Sequence, residues 1–339
     1  MLKLTALLTT YNRAQYLDDV LTSVRGQTCS RDDYELVVID DGSTDNTASI
    51  VQKYCGDLTV RYIHQDNAGL AAARNHGVSV ARAPLILMMD DDDIVQPNNF
   101  VEHVRSHEAY PAKEIAVLGF TKLRDDIAAD PLMHFVTETC PYLFSYQNAS
   151  ENEFLDFHWF WGGRTSFKRN FVLENGGFNP VFRFGCEDIE LAYRLKRKGL
   201  KVVYNPRAES VMIRKLSFDA FCDRLRRQGN SQFVFSRLCR DHEVQAWCEM
   251  DRFFKEWPEL ACSHASDVNR AKNLDRWAHR SVELGLPLEA GILQQLHESY
   301  YRAFISAKLA GIAEVKKSWD DVGVEVIEIG KPDLGHFEQ

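Results

Sequence analysis

The strongest constraint on this chain is an alternation of short apolar segments and helical patterns across its first 100 residues. Residues 2–9, 36–39, 60–63 and 85–89 are apolar and short enough to be buried strands. Between them, apolar side chains recur at helical spacing, as in 17–24. Strands and helices that alternate in this way form βαβ units, so the sequence predicts an α/β fold with a mostly parallel sheet flanked by helices.

Polar or acidic residues follow three of the four predicted strands. They are the segments 9–12 (Thr-Thr-Tyr-Asn), 40–43 (Asp-Asp-Gly-Ser) and 90–93 (four aspartates). Ligands of open parallel sheets bind outside the carboxyl ends of the strands. We therefore expect the three segments to converge at one edge of the sheet and to form the functional site.

The four aspartates at 90–93 need compensation, because like charges this close raise one another's pKa or recruit a cation. Carboxylate oxygens favour Mg²⁺ or Mn²⁺. With few protein ligands and no His or Cys nearby, such a metal ion would be shared with the phosphates of a substrate. A solvated acidic turn or a weak calcium loop would produce the same run of residues, and the run alone does not separate these alternatives.

The segment 40–45 is more specific. Turn chemistry explains Gly42 and Ser43 in full, and Asp45 is expected to cap the next helix. Turn chemistry gives no structural reason for Asp40 and Asp41. A carboxylate at this position can accept hydrogen bonds from a nucleobase edge or a ribose.

Glu187 and Asp188 begin a predicted helix over 187–198. The helix dipole favours acids at such a position, and this is a sufficient structural reason for them. The preceding Phe182, Phe184 and Gly185 also suit a shaped pocket, in which one of the carboxylates would act as a general base.

Trp159 and Trp161 flank Phe160 on a predicted strand, 158–167, so both indoles are expected to face the same side. Aromatic faces stack on sugar rings. Core packing of both side chains is the alternative; we favour it for one of them and leave the other open.

The remainder of the chain is less regular. We expect a strand at 115–123, an irregular segment with a mobile loop at 125–152, and a further strand at 202–204. Beyond Leu216 helical patterns dominate, which predicts a helical C-terminal region over 216–339.

Charge is unevenly distributed along the chain. The net charge of −9 disfavours a general nucleic-acid binder. Residues 164–237 nevertheless hold 16 lysines and arginines against 7 acids. A basic block inside an acidic protein indicates an anionic ligand or a membrane surface, and a solvated helix face is the alternative.

The cysteines suggest a reducing compartment. There are eight, and none forms a Cys-x-x-Cys pair, so we expect free thiols in the cytoplasm. No apolar run approaches the ~20 residues that span a bilayer. The N-terminal segment shows no signal-peptide pattern.

Together, these motifs resemble the inverting glycosyltransferases of family 2, which have the GT-A fold with its Rossmann-like sheet. The resemblance covers about residues 2–215, roughly two-thirds of the chain. The matching pieces are Thr9-Thr10-Tyr11-Asn12-Arg13, Asp40-Asp41-Gly42-Ser43 with Asp45, Asn67-Ala68-Gly69, Ala73-Arg74-Asn75 with Gly77, Asp90 with Asp92, Asp93 and Pro97, Gly162-Gly163, Gly176-Gly177-Phe178, and Glu187-Asp188 with Glu190, Leu191, Arg194 and Gly199.

The resemblance implies a UDP-, GDP- or dTDP-sugar donor, Mn²⁺ or Mg²⁺, and a saccharide or lipid-linked acceptor, as in polysaccharide biosynthesis. The implied donor-binding residues are Thr9, Tyr11, Asp40, Asp41, Arg74, Asp90 and Asp91. Asp92 would hold the metal, Asp188 would be the general base, and Glu187 beside it would orient the acceptor. The implied acceptor-binding residues are Trp159, Trp161, Gly162 and Gly163.

The resemblance also implies a division of the chain. Residues 1–215 would form the catalytic domain, with a nucleotide-sugar-binding half at 1–100 and an acceptor-binding half at 101–215. The helical region 216–339 mixes arginines with phenylalanines, which would suit peripheral contact with the inner face of a membrane. We favour the alternative, a helix that covers the acceptor cleft with exposed arginines.

One motif departs from the family pattern. Many relatives carry a histidine that contacts metal or phosphate after the strand near Val211, where this chain has Met212-Ile213-Arg214-Lys215. Arg214 or Lys215 is therefore expected to contact the diphosphate, or a histidine elsewhere would serve. The full set of metal ligands stays open.

Two other classes of protein are less consistent with the sequence. A nucleotidyltransferase needs a glycine-rich, basic phosphate loop after the first strand, and residues 9–13 are not such a loop. A non-catalytic nucleotide-sugar-binding protein is expected to have lost Asp92 or Asp188, and both are present.

Overall fold

A nine-stranded sheet forms the centre of the computed structural model, which describes residues 2–151 and 153–322. Its main path has the order β3-β2-β1-β4-β8-β6-β9-β5, and β7 pairs with β9. The strands are β1 (Leu4–Thr10), β2 (Tyr34–Asp40), β3 (Val60–His64), β4 (Leu85–Met89), β5 (Asp93–Val95), β6 (Ile115–Leu123), β7 (Phe154–Leu155), β8 (Thr165–Lys168) and β9 (Lys201–Met212).

The strands β1 to β4 are parallel to their neighbours, as the βαβ pattern predicts. In the second half of the sheet, β8 runs antiparallel between β4 and β6, while β6 and β9 are parallel. The predicted α/β fold with a mostly parallel sheet is therefore confirmed, and the antiparallel strands are confined to the second half of the sheet.

Helices cover both faces of the sheet. Alternate side chains of a strand point to opposite faces, so Leu8 packs with α1 and Leu7 with α3 in two separate apolar clusters. The shorter helices are α1 (Ala14–Arg25), α2 (Thr47–Gln52), α3 (Leu70–Val80), α4 (Asn99–Ala109), α5 (Asp125–Ala128), α6 (Pro131–His134), α7 (Arg169–Glu174) and α8 (Glu187–Lys196).

Residues 125–151 are more ordered than the sequence suggests. Asp130 accepts hydrogen bonds from two backbone amides and caps α6, and a π-helical turn follows at Phe135–Thr139. Apolar side chains of this segment, such as Phe135, are buried against the C-terminal helices. The prediction of an irregular loop is therefore wrong for its first half, because the burial partners lie far along the chain.

The predicted strand at 158–167 is shorter in the structure. Asp156 accepts a hydrogen bond from the His158 amide at 3.0 Å and caps a 3-10 turn over Phe157–Trp159. Gly163 then has φ +95°, and only β8 is extended. Local capping thus outweighs the strand propensity of the aromatic side chains.

The C-terminal region is helical, as predicted. It consists of α9 (Phe218–Leu238), α10 (His242–Trp247), α11 (Met250–Glu283) and α12 (Ala290–Val322). Gly229 and Gly311 let α9 and α12 pack closely, because a Cβ at either position would overlap a backbone carbonyl of the other helix. Residues 323–339 of the predicted region lie outside the described residues. Within the described ranges, every helix is too short or too polar to cross a bilayer.

Candidate active site

A cavity of about 590 Å³ opens at the carboxyl ends of the parallel strands. Asp41 follows β2, Asp92 follows β4 and Asp188 lies in the first turn of α8, and all three line this cavity. Strand ends and one helix N-terminus therefore meet at one edge of the sheet, as the sequence predicts.

Asp41 is held by the N-terminal end of α3. Its Oδ1 accepts from the Ala68 amide at 2.9 Å and from Gln65 Nε2 at 2.8 Å, and its Oδ2 accepts from the Gly69 amide at 2.9 Å. Gly69 has φ +92°, which glycine adopts without strain. This network positions the carboxylate beside Thr9 and Tyr11, which also line the cavity.

Asp40 lies away from the cavity lining. It is buried, and it accepts from the Tyr62 hydroxyl at 2.6 Å and from the Ser43 amide at 2.8 Å. Burial would raise the pKa of Asp40, but these hydrogen bonds outweigh burial and lower it. Its placement supports a role in the 40–43 turn and does not support the predicted contact with a donor.

Asp45 is also a structural residue. Its Oδ1 accepts from the Thr47 amide at 3.1 Å and its Oδ2 from the Ala14 amide at 3.0 Å. The residue that immediately precedes α2 is Asn46, so Asp45 links α1 and α2 from one position before the expected cap.

The run of aspartates divides between the cavity and the core. Asp90, Asp91 and Asp92 line the cavity, whereas Asp93 begins β5 and is buried against Thr121 and Ser210. Burial and the neighbouring carboxylates raise the pKa values of Asp91 and Asp93 to about 7.

Arginines compensate part of this negative charge. Arg164 Nη2 lies 3.4 Å from Asp90 and 3.7 Å from Asp93, and Arg214 Nη1 donates to Asp92 Oδ2 at 3.0 Å. Arg214 is thus on the cavity, as predicted. Lys215 forms an ion pair with Asp130 instead and does not line the cavity.

The described residues contain no group of three His, Cys, Asp or Glu side chains arranged to hold a metal ion. The carboxylates of Asp90 and Asp92 are hard oxygen donors at the cavity wall. Such a donor set fits Mg²⁺ or Mn²⁺ if phosphate oxygens complete the coordination.

Arg74 of α3 and Glu187 of α8 form a buried ion pair, and both residues line the cavity. Arg74 Nη1 donates to Glu187 Oε1 at 2.6 Å, and a Cβ at Gly162 would overlap the guanidinium. Burial and the charge of Asp188 raise the pKa of Glu187 to about 7, against the opposing effect of Arg74. Similarly, a Cβ at Gly163 would overlap the Asp90 carboxylate.

Asp188 faces the cavity in a fixed orientation. Its Oδ2 accepts from the Gly162 amide at 2.7 Å and its Oδ1 from the Ile189 amide at 2.8 Å. Gly185 and Cys186, both with positive φ, turn the chain into α8 at this point. The carboxylate is therefore presented at the start of a helix with little rotational freedom.

The two tryptophans are stacked but have different positions. Their ring centroids are 5.1 Å apart, and only Trp161 lines the cavity. Trp161 Nε1 donates to the His158 carbonyl at 2.7 Å. The sequence favours core packing for one tryptophan and leaves the other open; in the structure neither of them lies on a strand.

Several cavity residues escape the sequence analysis. The aromatic residues Tyr142, Phe144 and Trp247 line the cavity, and so do Arg224 and Arg227 of α9. For the arginines, the sequence gives two signals, the basic block at 164–237 and the mixture of arginines and phenylalanines from residue 216 onward, but neither singles out these two. Nothing in the sequence singles out the three aromatic residues.

Residues 5–171 match the family model described as Glycosyl transferase family 2. Validoxylamine A glucosyltransferase of Streptomyces hygroscopicus subsp. jinggangensis is 34% identical over 220 residues, which cover 58% of this chain and 52% of that protein. Chondroitin synthase of Pasteurella multocida is 28% identical over 225 residues, 58% of this chain and 23% of that protein. The matches thus span about half or less of the length of these relatives.

Solved structures share the fold. Mannosyltransferase PcManGT from Pyrobaculum calidifontis, in complex with GDP-Man and Mn²⁺, has a TM-score of 0.59 at 20% identity, over 94% of this chain and 87% of that chain. S. aureus TarS 1-349 in complex with UDP has a TM-score of 0.53 at 14% identity, over 94% and 92%. The fold of this chain is therefore the GT-A fold.

Proposed function

The chain belongs to glycosyl transferase family 2 through residues 5–171, and we propose that it is an inverting glycosyltransferase. It transfers a sugar from a nucleotide-diphosphate sugar to a hydroxyl of a saccharide or lipid-linked acceptor. One observation carries the proposal: Asp41, Asp92 and Asp188 line a single cavity in a chain of this family.

The donor binds at the ends of the parallel strands. Thr9, Tyr11 and Asp41 contact the nucleobase or ribose, and Asp90, Asp91 and Arg74 lie toward the diphosphate and the sugar. TarS in complex with UDP and PcManGT in complex with GDP-Man support a nucleotide donor, with the base left to experiment.

Asp92 would hold a divalent cation, Mn²⁺ or Mg²⁺, together with oxygens of the donor diphosphate. The carboxylate donor set and the Mn²⁺ in the PcManGT complex support this assignment. When bound, such a cation would supply positive charge against the leaving diphosphate. Arg214 must move from Asp92 or share it, because its Nη1 lies 3.0 Å from one of the two carboxylate oxygens.

Asp188 is the general base. The acceptor hydroxyl attacks C1 of the donor sugar from the face opposite the diphosphate and transfers its proton to the Asp188 carboxylate. The C1–O bond to the nucleoside diphosphate breaks as the new bond forms, so the anomeric configuration inverts. Glu187 supports this step through Arg74, its partner at 2.6 Å, and Trp161 provides an aromatic face for the acceptor sugar.

We also propose the division of the chain predicted from its sequence. Residues 1–100 provide the donor half of the catalytic domain, 101–215 the acceptor half, and the helical region from 216 onward covers the acceptor cleft. The cavity lining supports this division, since α9 contributes to its wall.

We propose a cytoplasmic location, at most peripheral to the inner face of a membrane. The phenylalanines of α9 give little support to membrane contact, because Phe221, Phe233 and Phe235 are buried in the core. Sedimentation with phosphatidylglycerol vesicles tests the contact, and we expect no binding through α9.

A hydrolysis screen tests the proposed reaction. Purified protein is incubated with UDP-, GDP- and dTDP-sugars in Mn²⁺ or Mg²⁺, and release of the nucleoside diphosphate is measured. We expect release from at least one donor, with Asp188→Asn as the inactive control. Failure of every donor, with and without candidate acceptors, would contradict the proposal.

A further inference from the structure

The cavity contains more cationic side chains than its own acids neutralise. Seven arginines and six carboxylates line it. Arg74 pairs with Glu187, Arg164 with Asp90 and Arg214 with Asp92. The other four, Arg13, Arg183, Arg224 and Arg227, form no ion pair with any carboxylate in residues 2–151 and 153–322, and Arg183 donates to Asn67 instead.

Two of these arginines, Arg224 and Arg227, lie on α9. They are three residues apart and so share a helix face. Their guanidinium carbons lie 5.5 Å (Arg224) and 3.9 Å (Arg227) from the ring centroid of Phe184. Phe184 is itself fixed to α9, because the Ser231 hydroxyl donates to its carbonyl at 2.6 Å. Phe184 lies four residues before Asp188 in the chain.

Of these two arginines, Arg227 lies nearer to the segment that carries Asp188. Asp188 marks the position of the attacking hydroxyl, whereas the residues proposed to bind the nucleotide lie at the ends of β1, β2 and β4. The guanidinium carbon of Arg227 lies 3.9 Å from the ring centroid of Phe184, in the segment that leads into α8. Arg224 lies deeper, where burial lowers its pKa and the charges of Asp90 and Asp92 oppose that effect.

Arg227 is exposed and Arg224 is only partly buried, so the guanidinium of Arg227 is accessible to an anionic ligand that enters the cavity. A guanidinium binds carboxylate or phosphate through two parallel hydrogen bonds. Trp161 and Trp247 on the same cavity supply aromatic faces for sugar rings. The combination recognises a saccharide or polyol that carries negative charge.

We infer that the acceptor of this enzyme is anionic, with a carboxylate or phosphate group bound by Arg227. The inference rests on the proposed function and specifies its acceptor class.

Binding measurements with matched probes test the inference. The carboxylate arm compares a glucuronate-containing tetrasaccharide with its carboxyl-reduced form, and the phosphate arm compares a glycerol-phosphate oligomer with an uncharged oligoglycerol. We expect at least one charged probe to bind about tenfold or more tightly than its neutral counterpart, and to weaken as salt increases. Equal binding of charged and neutral probes, or no binding of either charged probe, would overturn the inference.

Adjacent arginines supply the matched variants. Arg227→Gln should weaken binding of the charged probe about tenfold and leave the neutral probe unchanged. Arg226→Gln is the control, because Arg226 pairs with Asp223 and Glu314 and does not line the cavity. An equal loss in both variants would assign the effect to the helix surface and contradict the inference.

Donor hydrolysis separates this inference from the proposed function. Without acceptor, Arg227→Gln should release nucleoside diphosphate with the same KM for the donor as the unaltered protein. A raised donor KM with unchanged probe binding would assign Arg227 to the diphosphate and refute an anionic acceptor site. If Arg227→Gln loses only its sedimentation with phosphatidylglycerol vesicles, Arg227 binds a membrane, and an anionic acceptor site is likewise refuted. If the unaltered protein hydrolyses no donor, the proposed function fails, whatever the probes show.

Discussion

The donor edge and the acceptor side of the cavity are built in different ways. At the donor edge, acids directly follow the strands, and Asp41 is held by backbone amides at the start of the next helix. On the acceptor side, the wall is assembled from segments far apart in sequence, such as 142–144, 158–164 and 183–188, together with α9. The first surface depends on local backbone geometry, and the second depends on long-range contacts.

The difference suggests a division of labour. A nucleotide common to many donors can be bound by a surface that the fold itself generates at its strand ends. An acceptor that differs between enzymes needs a surface that can change without disturbing the sheet, and loops and added helices meet this need. Substitutions on the two surfaces should therefore change different kinetic parameters.

The largest expected effect is that of Asp188→Asn. The amide cannot accept the proton of the acceptor hydroxyl, so kcat for transfer should fall ~10²–10⁴-fold. The substitution retains the shape of the side chain, and the dissociation constant for the nucleoside diphosphate should stay within about twofold. Transfer assays and calorimetric titration provide the two numbers. Wild-type turnover would refute the role of Asp188.

Asp92→Asn should act on the donor edge of the cavity. Loss of the charge weakens the proposed cation site, so nucleoside diphosphate binding in Mn²⁺ should weaken about tenfold or more. Binding in the presence of EDTA should change much less, and it serves as the control. If Asp92→Asn affects the two conditions equally, Asp92 does not act through a metal.

Gly162→Ala tests the junction between the two surfaces. The new Cβ would overlap the Arg74 guanidinium and displace its pairing with Glu187, while the Gly162 amide that holds Asp188 remains. A displacement of about 1 Å near reacting groups can reduce turnover ~10²-fold. We expect kcat to fall by up to that factor and Tm to fall as well, because a buried ion pair is disturbed. An unaffected kcat would show that the Arg74–Glu187 pair is not required for turnover.

The smallest expected effect concerns the contact between His279 of α11 and Asp130, which attaches the helical region to the rest of the chain. Hydrogen bonds from His279 to Asp130 and to Asp275 raise the pKa of His279 to about 10. Because its pKa is raised, protonated His279 stabilises the folded state. This stabilisation is complete below the ordinary pKa of ~6.5 and is lost as pH rises through about 10. The melting temperature should therefore fall by about 2–4 °C more between pH 7 and pH 10 than in a His279→Gln variant. If the melting temperatures of the two proteins fall equally between pH 7 and pH 10, the charge of His279 does not contribute to stability.

The sequence predicts the donor edge well for physical reasons. Leu85–Met89 has the expected bounds, because a continuous apolar run ends at the acidic residues that follow it. β9 is an instructive contrast: the sequence indicates only 202–204, but the strand extends from Lys201 to Met212. A shift of register opposite Gly119 and Phe120 accommodates the polar segment in the middle of β9, and apolar periodicity cannot reveal such a bulge.

The acceptor side is much less accessible to sequence reasoning. Arg164 lies 4.7 Å from the Phe144 ring, and Arg227 lies 3.9 Å from that of Phe184. Such contacts join residues 20 to 43 positions apart and leave no periodic pattern. For Asp40, in contrast, the motif indicates a donor contact that its position does not support. Asp40 turns toward Tyr62 and away from the cavity. The roles assigned to the cavity residues stay predictions until substitutions test them.

A crystal structure of the protein soaked with UDP or GDP and Mn²⁺ is the most direct test of the shared cavity. We expect a nucleobase beside Thr9 and Asp41, a diphosphate and Mn²⁺ beside Asp92, and Asp188 facing the open space next to the terminal phosphate. A nucleotide bound outside this cavity, or one that covers Asp188 and leaves no room for an acceptor, would contradict the proposed reaction.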